Sequence, residues 1–318
     1  MQKQNGKPEH LEKRWKANMK IKLYIASHKP TYIPEHPLLI PLQIGTALHE
    51  AIPDMLHDDT GPNISEKNPR YCELTGQYWA WKNEQADYYG FYHYRRYFTF
   101  QAAKRPYLIY DRPDEATLKR MGYEPKQMAQ CISQYDLIVP QAEEMYETVR
   151  ENYRRAPCHD IADLQLIEQI VKEQCPQYSQ AMEQYFQGTK LYLKNMYIMR
   201  NGLFQQYCSW LFPLLEEFDC RNDWDKYRGN PVALRVDGYL AERLFGVWYT
   251  YQKQTNAVKS CELPRIHFAH LDGGKGKLQS MKLVNAILPP GTRRRSLASR
   301  GARFVLKKRA EQKLYGEK

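Results

Sequence analysis

The chain has 318 residues, a formal charge of +11, 42% apolar residues and seven cysteines. That length can bury a large core and allows one large α/β domain or two smaller ones. No apolar run reaches the roughly 18 residues of a membrane span, the first 18 residues lack the apolar centre of a signal peptide, and scattered cysteines without a C-x-x-C pair speak against a zinc knuckle or a disulfide framework.

Residues 1–18 are polar and read as a disordered leader. A first strand follows over 19–27 (MKIKLYIAS), where Ile21, Leu23 and Ile25 alternate with Lys22, Tyr24 and Ala26. Ser27, His28 and Lys29 stand at its C-terminal end, where open α/β sheets gather ligands; an ordinary Lys-Pro turn is the alternative. The polar loop over 57–65, with Asp58, Asp59 and Asn63, reads either as a plain turn or as a cation site. Asn68-Pro69 predicts a helix start, and Tyr71, Leu74, Tyr78 and Trp81 at helical spacing extend it over 69–83.

The stretch ADYYGFYHYRRYFTF (86–100) begins as a buried strand and ends in His93-Tyr94-Arg95-Arg96-Tyr97. Burying unpaired guanidinium groups costs several kcal/mol, so an anion is expected to meet them, at the same sheet edge as Ser27 and His28. Helices are predicted around 114–121 and 125–133, a buried strand over 135–142, and a helix over 160–187 interrupted at Pro176. Residues 191–218 read as a strand, a turn at Asn201-Gly202 and a long helix; 236–252 is another apolar helix carrying Glu242 and Arg243. A last strand over 264–271 would place His267 and His270 on opposite faces, so that at most one reaches a cleft. Strands alternating with helices predict a mostly parallel central sheet flanked by helices, in one α/β domain over 19–288 with a tail over 289–318.

The strings DDTGPNIS, NPRYCELTGQYWAWKN, ADYYGFYHYRRYF, NMYIMRNGLFQQYCSWLF and GYLAERLF, in this order, resemble a family of bacterial capsular and exopolysaccharide biosynthesis proteins. That family, long a domain of unknown function, is regarded as glycosyltransferases with a GT-A-like fold, galactofuranosyltransferases among them. The resemblance spans about 19–272 and implies a UDP-sugar donor. Ser27, His28, Lys29, Asp59, Asn63, His93, Tyr94, Arg95 and Arg96 become its contacts. GT-A enzymes commonly hold a divalent metal through Asp-x-Asp at a strand end; here that position reads His93-Tyr94-Arg95. Two arrangements remain open. Arg95 and Arg96 pair directly with the diphosphate, or Mn²⁺ or Mg²⁺ is ligated with help from His93, His267 or His270. Asp223-Trp224-Asp225 lies in a polar loop after a helix and reads as a coincidental match.

For the base that takes the acceptor's proton, Glu242 comes first, because a carboxylate in an apolar helix is expected to have its pKa raised by burial; an ion pair with Arg243 or Arg235 is the competing reading. Asp237 is second, with a helix cap as its plain alternative.

From 289 to 318 there are ten Lys or Arg against two Glu, so +8 of the +11 belongs to the tail. Leu297, Phe304 and Val305 stand among these cations, a pattern suited to an anionic membrane surface; a solvated disordered end is the alternative. The resemblance implies a lipid-linked glycan acceptor, hence a cytoplasmic enzyme peripheral to the inner face of the membrane. A nucleic-acid-binding module is the rival class. The nearly balanced charge outside the tail argues against it, and no nucleic acid is expected as a partner.

Overall fold

Strand β1 (Ile21–Ser27) is buried along nearly its whole length because it lies inside the sheet, between parallel neighbours β2 (Leu39–Gln43) and β4 (Tyr88–His93). The computed structural model describes residues 19–103, 105–255 and 258–315; the polar leader over 1–18 lies outside them. β2 pairs in parallel with the two-residue β3 (Leu56–His57) at one edge. On the other side of β4 come antiparallel β10 (Tyr197–Arg200), then β7 (Leu137–Pro140) and β11 (Ser260–Leu263), the last two parallel to each other. β5 (Arg96–Phe98) turns back from β4 and pairs with β12 (Arg265–Phe268), which carries β6 (Tyr107–Tyr110) beyond it. A separate pair joins β8 (Glu143–Glu144) to β9 (Lys190–Leu191). Among the described residues five of the nine pairings in the large sheet are parallel, as expected.

Apolar clusters cover both faces. Leu23 and Ile25 pack on one side with Tyr92, Tyr97 and the short helices Glu115–Arg120 and Pro125–Ile132. Tyr24 and Ala26 pack on the other with Phe204, Phe245 and the long helices Asn201–Arg221 and Val236–Thr255. Residues of β1 that alternate therefore meet different cores, and Tyr24 is as buried as Leu23. In the larger layer the helix Ser179–Gln187 lies so close to Val236–Thr255 that a Cβ on Gly246 would sit 1.9 Å from the Tyr185 ring.

Several expectations need correction. The helix of 69–83 is two pieces, Asn68–Tyr71 and Leu74–Asn83, broken at Cys72, whose φ is +54°. Asn68 does not cap the start; its Nδ2 donates to the Cys72 carbonyl and the Thr75 hydroxyl, closing the short first piece. No turn occurs at Asn201-Gly202, since β10 passes directly into the helix beginning at Asn201. The last strand ends at Phe268, and His270 opens a helix, His270–Ile287. The tail is helical over Arg293–Tyr315 and contacts the domain: Ser296 donates to the Met145 carbonyl, and Arg303 pairs with Glu147 at 2.8 Å. Among the described residues no helix is long and apolar enough to cross a membrane.

Candidate active site

The parallel strands β1, β2 and β4 end at one edge, and the hairpin from β4 to β5 folds over it. Ser27 is fully buried there, its hydroxyl donating to the Lys29 carbonyl at 2.7 Å. It shapes the turn that carries His28 and Lys29. His28 and Lys29 are exposed. Tyr94, in the hairpin turn, is buried; His28 meets its ring edge-on at 5.8 Å, and Lys29 and Arg95 lie 5.1 and 5.4 Å from its centroid. One aromatic ring therefore holds two cations at the strand ends. Burial, then Lys29, Arg95, Arg235 and His49, all push the His28 imidazole below its ordinary pKa, which reports a positive potential at this edge.

The two adjacent arginines part company. Arg95 stays with Tyr94 and His28, whereas Arg96, one step on, pairs across the sheet with His267 of β12 and lines a separate cavity. Arg95 stands in the two-residue turn and Arg96 opens β5, so the two side chains do not meet one ligand side by side.

Behind the rim lies a cluster of buried polar groups. His93 Nε2 lies 2.9 Å from the Lys194 carbonyl and 3.7 Å from Glu73 Oε1. Burial first, then Arg96 and Lys194, pull the His93 imidazole down to about 3, so the ring is neutral and its Nε2–H donates to the carbonyl. Glu73 Oε1 accepts from Asn195 Nδ2 at 2.8 Å, and burial raises its carboxyl above the usual range. Lys194 and Asn195 both have positive φ, +87° and +46°. Such backbone is strained for lysine. It is held by the Lys194 N–H donating to Glu242 at 2.8 Å, by the contact to His93, and by Asn195 Nδ2 donating to the Gly238 carbonyl at 3.1 Å.

Glu242 departs from expectation. Burial alone would raise its carboxyl, but Lys194, Arg243, the Lys194 N–H and His159 outweigh it and hold the group below the usual carboxylate range. Its second oxygen accepts from Arg243 at 2.8 Å, and the Arg243 side chain is 4% exposed. Glu242 is the anion of a buried ion pair.

Asp237 is no cap. It is the second residue of its helix, wholly buried, and neither carboxylate oxygen has a hydrogen-bond partner. Neighbouring Asp219 takes Lys67 and Tyr71 at 3.0 Å and Arg70 at 3.3 Å. Burial, then Asp219, push the Asp237 carboxyl well above its usual range. An acid whose folded pKa is raised loses no stability below its unfolded pKa, roughly 3.9, and loses it progressively as pH rises above that. Asp237→Asn should therefore unfold at a higher denaturant concentration than the wild type at pH 8, with the difference shrinking toward pH 4. A constant difference across this range would contradict the assignment.

The remaining sequence candidates are structural or apart. Asp58 is buried and accepts from the Gly45 and Thr46 N–H groups and from Ser65. Asp59 is exposed, and Asn63 closes the loop by donating to the Asp59 and Gly61 carbonyls. Asp223 caps a 3₁₀ turn through the Asp225 N–H, and Asp225 pairs with exposed Arg228. Among the described residues no group of three His, Cys, Asp or Glu is arranged to hold a metal ion, so His93, His267 and His270 form no such set. His270 instead faces Asp111 at 3.7 Å.

Glu73 was missed. The signal was present in CELTG, a carboxylate inside an aromatic helical stretch, but the helical stripe reads that position as solvent-facing.

The family described as a domain of unknown function, DUF4422, matches residues 22–254. The chain belongs to that family. The matched span holds the rim, Glu73, His93, Lys194, Asn195 and Glu242; β12 and both C-terminal helices lie beyond it. No curated protein matches the chain. A solved structure described as the apo form of WbbM, a bifunctional glycosyltransferase, is similar at 32% identity with a TM-score of 0.74, over 78% of this chain and 45% of the other. This chain therefore spans less than half the length of that protein.

Proposed function

We propose that the chain is a glycosyltransferase that draws its sugar from a nucleoside diphosphate sugar bound at the edge formed by β1 and β4. The similarity to a glycosyltransferase over 78% of the chain carries the reading. The rim supports it, since Lys29 and Arg95 on the Tyr94 ring suit a departing diphosphate. UDP is the nucleotide and galactofuranose the sugar that the family resemblance favours, with a lipid-linked precursor of capsule, exopolysaccharide or O-antigen as acceptor.

Glu73 is the base we assign. As the acceptor oxygen bonds to the anomeric carbon and the bond to the β-phosphate oxygen breaks, the acceptor's hydroxyl proton passes to the Glu73 carboxylate. A carboxyl raised by burial is the stronger base of the two glutamates. Calorimetry with UDP tests the rim: Arg95→Ala should weaken binding by about tenfold, the worth of a charge-assisted hydrogen bond. Unchanged affinity would remove Arg95 from the donor site.

Seven of the twelve exposed large apolar side chains among the described residues stand on the last two helices, Leu283, Val284, Ile287, Leu297, Phe304, Val305 and Leu306. Together with the tail's cations they support attachment to the cytoplasmic face of an anionic membrane. The chain should co-sediment with phosphatidylglycerol vesicles, and Phe304→Asp should release it. Equal sedimentation of the two would contradict this surface.

A further inference from the structure

The helix Arg293–Tyr315 is inverted in character. Its exposed side carries Leu297, Phe304, Val305 and Leu306, whereas the stripe turned to the domain is Arg295, Ser299, Arg303 and Lys307 at four-residue spacing. A helix that turns Arg295, Arg303 and Lys307 half-buried toward the domain, and leaves its apolar residues exposed along with Arg293 and Arg294, is not packed for the hydrophobic effect alone. Arg295, Ser299 and Arg303 of this half-buried stripe roof a cavity of about 270 Å³ whose other walls bring Arg96, Lys194, Arg265 and His267. Five cations, Arg295 and Arg303 included, line it against two carboxylates, Glu143 and Glu144.

Those carboxylates are already engaged. Glu143 pairs with Arg265, and Glu144 accepts from the Tyr146 N–H and the Thr189 hydroxyl. Arg303 is spoken for by Glu147, and Arg295 donates to Asn285 and the Leu288 carbonyl. Arg96 and Lys194 have no ion pair among the described residues. Burial and the neighbouring Arg95 and Arg265 pull the Arg96 guanidinium down to about 10. Lys194 is lowered too, by burial first and by Arg96 and Arg265 against the pull of Glu242. Like charges held together without a counter-ion are unfavourable, and an incoming anion relieves that. The volume lies just under the roughly 300 Å³ at which drug-sized pockets begin, which suits a phosphate-sized group.

We propose that this cavity is a second phosphate-binding site, apart from the Lys29–Arg95 rim, which takes the phosphate or diphosphate ester of the acceptor. The apolar outer face of its roof places it beside a lipid surface, so the ester enters from a lipid-anchored molecule. The anion site stands on the cavity alone; its use for an acceptor rests on the proposed transferase function.

Calorimetry on the full chain, in saturating UDP, with inorganic pyrophosphate and with farnesyl diphosphate as probes tests this. Both should bind one site, farnesyl diphosphate more tightly. Lys194→Met and Arg295→Ala should each weaken them by about tenfold, and Arg295→Ala should do so with UDP affinity unchanged. Arg295 stands on the outer helix, so its variant folds even where the strained Lys194 turn does not tolerate change. Displacement of pyrophosphate by UDP, or no pyrophosphate binding, would overturn the second site. Equal affinity for the two probes would overturn the lipid source. Pyrophosphate binding without UDP release from any donor would sink the transferase reading and leave the anion site intact.

Discussion

Glu73→Gln should lower the sugar-transfer rate by about 10²–10⁴-fold, the usual worth of a positioned general base, with UDP affinity unchanged. Glutamine keeps the shape and can still accept from Asn195, but it cannot take a proton. Because burial raises the Glu73 carboxyl, the acid limb of the rate profile should lie above the ordinary glutamate value of about 4.3. His93, already neutral above about 3, adds no limb of its own near neutrality. The variant's residual rate should lack the acid limb altogether. A Glu73→Gln enzyme with wild-type turnover would end the assignment, and loss of UDP binding would show that the change had damaged the donor site instead.

Glu242→Ala should destabilise the fold by about 3–5 kcal/mol, the cost of leaving one member of a buried ion pair alone. Arg243 would keep only its weaker contacts, at 3.5 Å to the Tyr239 carbonyl and to Asn152. The Lys194 N–H would lose its acceptor at a strained position, loosening the turn that meets His93. Since the folded Glu242 carboxyl lies below its unfolded value, its contribution is fully present above about pH 4.3 and is lost as pH falls through the folded pKa. Denaturant unfolding at pH 7 and pH 3 measures both parts: the gap between wild type and variant should narrow in acid. Glu242→Gln, which preserves the acceptor for Lys194, should lose less and remain active. An inactive Glu242→Gln protein with normal stability would make Glu242 the base and displace Glu73.

What could be seen in advance follows from the length of each signal. The helices over 161–187, 201–221 and 236–255 repeat their apolar stripe for several turns, and β1, β4 and β7 are apolar enough to declare themselves. β2, β5 and β6 span three to five residues, too short for alternation to stand out. The break at Cys72 depends on a positive φ in a residue that is not glycine, which no local pattern announces. Glu73, the next residue, lies 3.7 Å from His93 through its Oε1. The placing of His93, Tyr94 and Arg95 where a buried strand ends was legible because the apolar run of β4 stops there. The divergence of Arg95 and Arg96 was not, because it requires knowing that the chain enters β5 after a two-residue turn. At Glu242, desolvation and the pairing with Arg243 were foreseen, and the other opposing cations were not. One of them, Lys194, comes from a distant segment.

The most direct measurement is UDP release from a panel of UDP-sugars, UDP-galactofuranose and UDP-galactopyranose among them, with a lipid-linked glycan as acceptor, with and without EDTA. The account predicts acceptor-dependent release from one donor that persists in EDTA, because Lys29 and Arg95 meet the leaving diphosphate, and that fails in Glu73→Gln. Absence of release from every donor, together with absence of UDP binding, would contradict it.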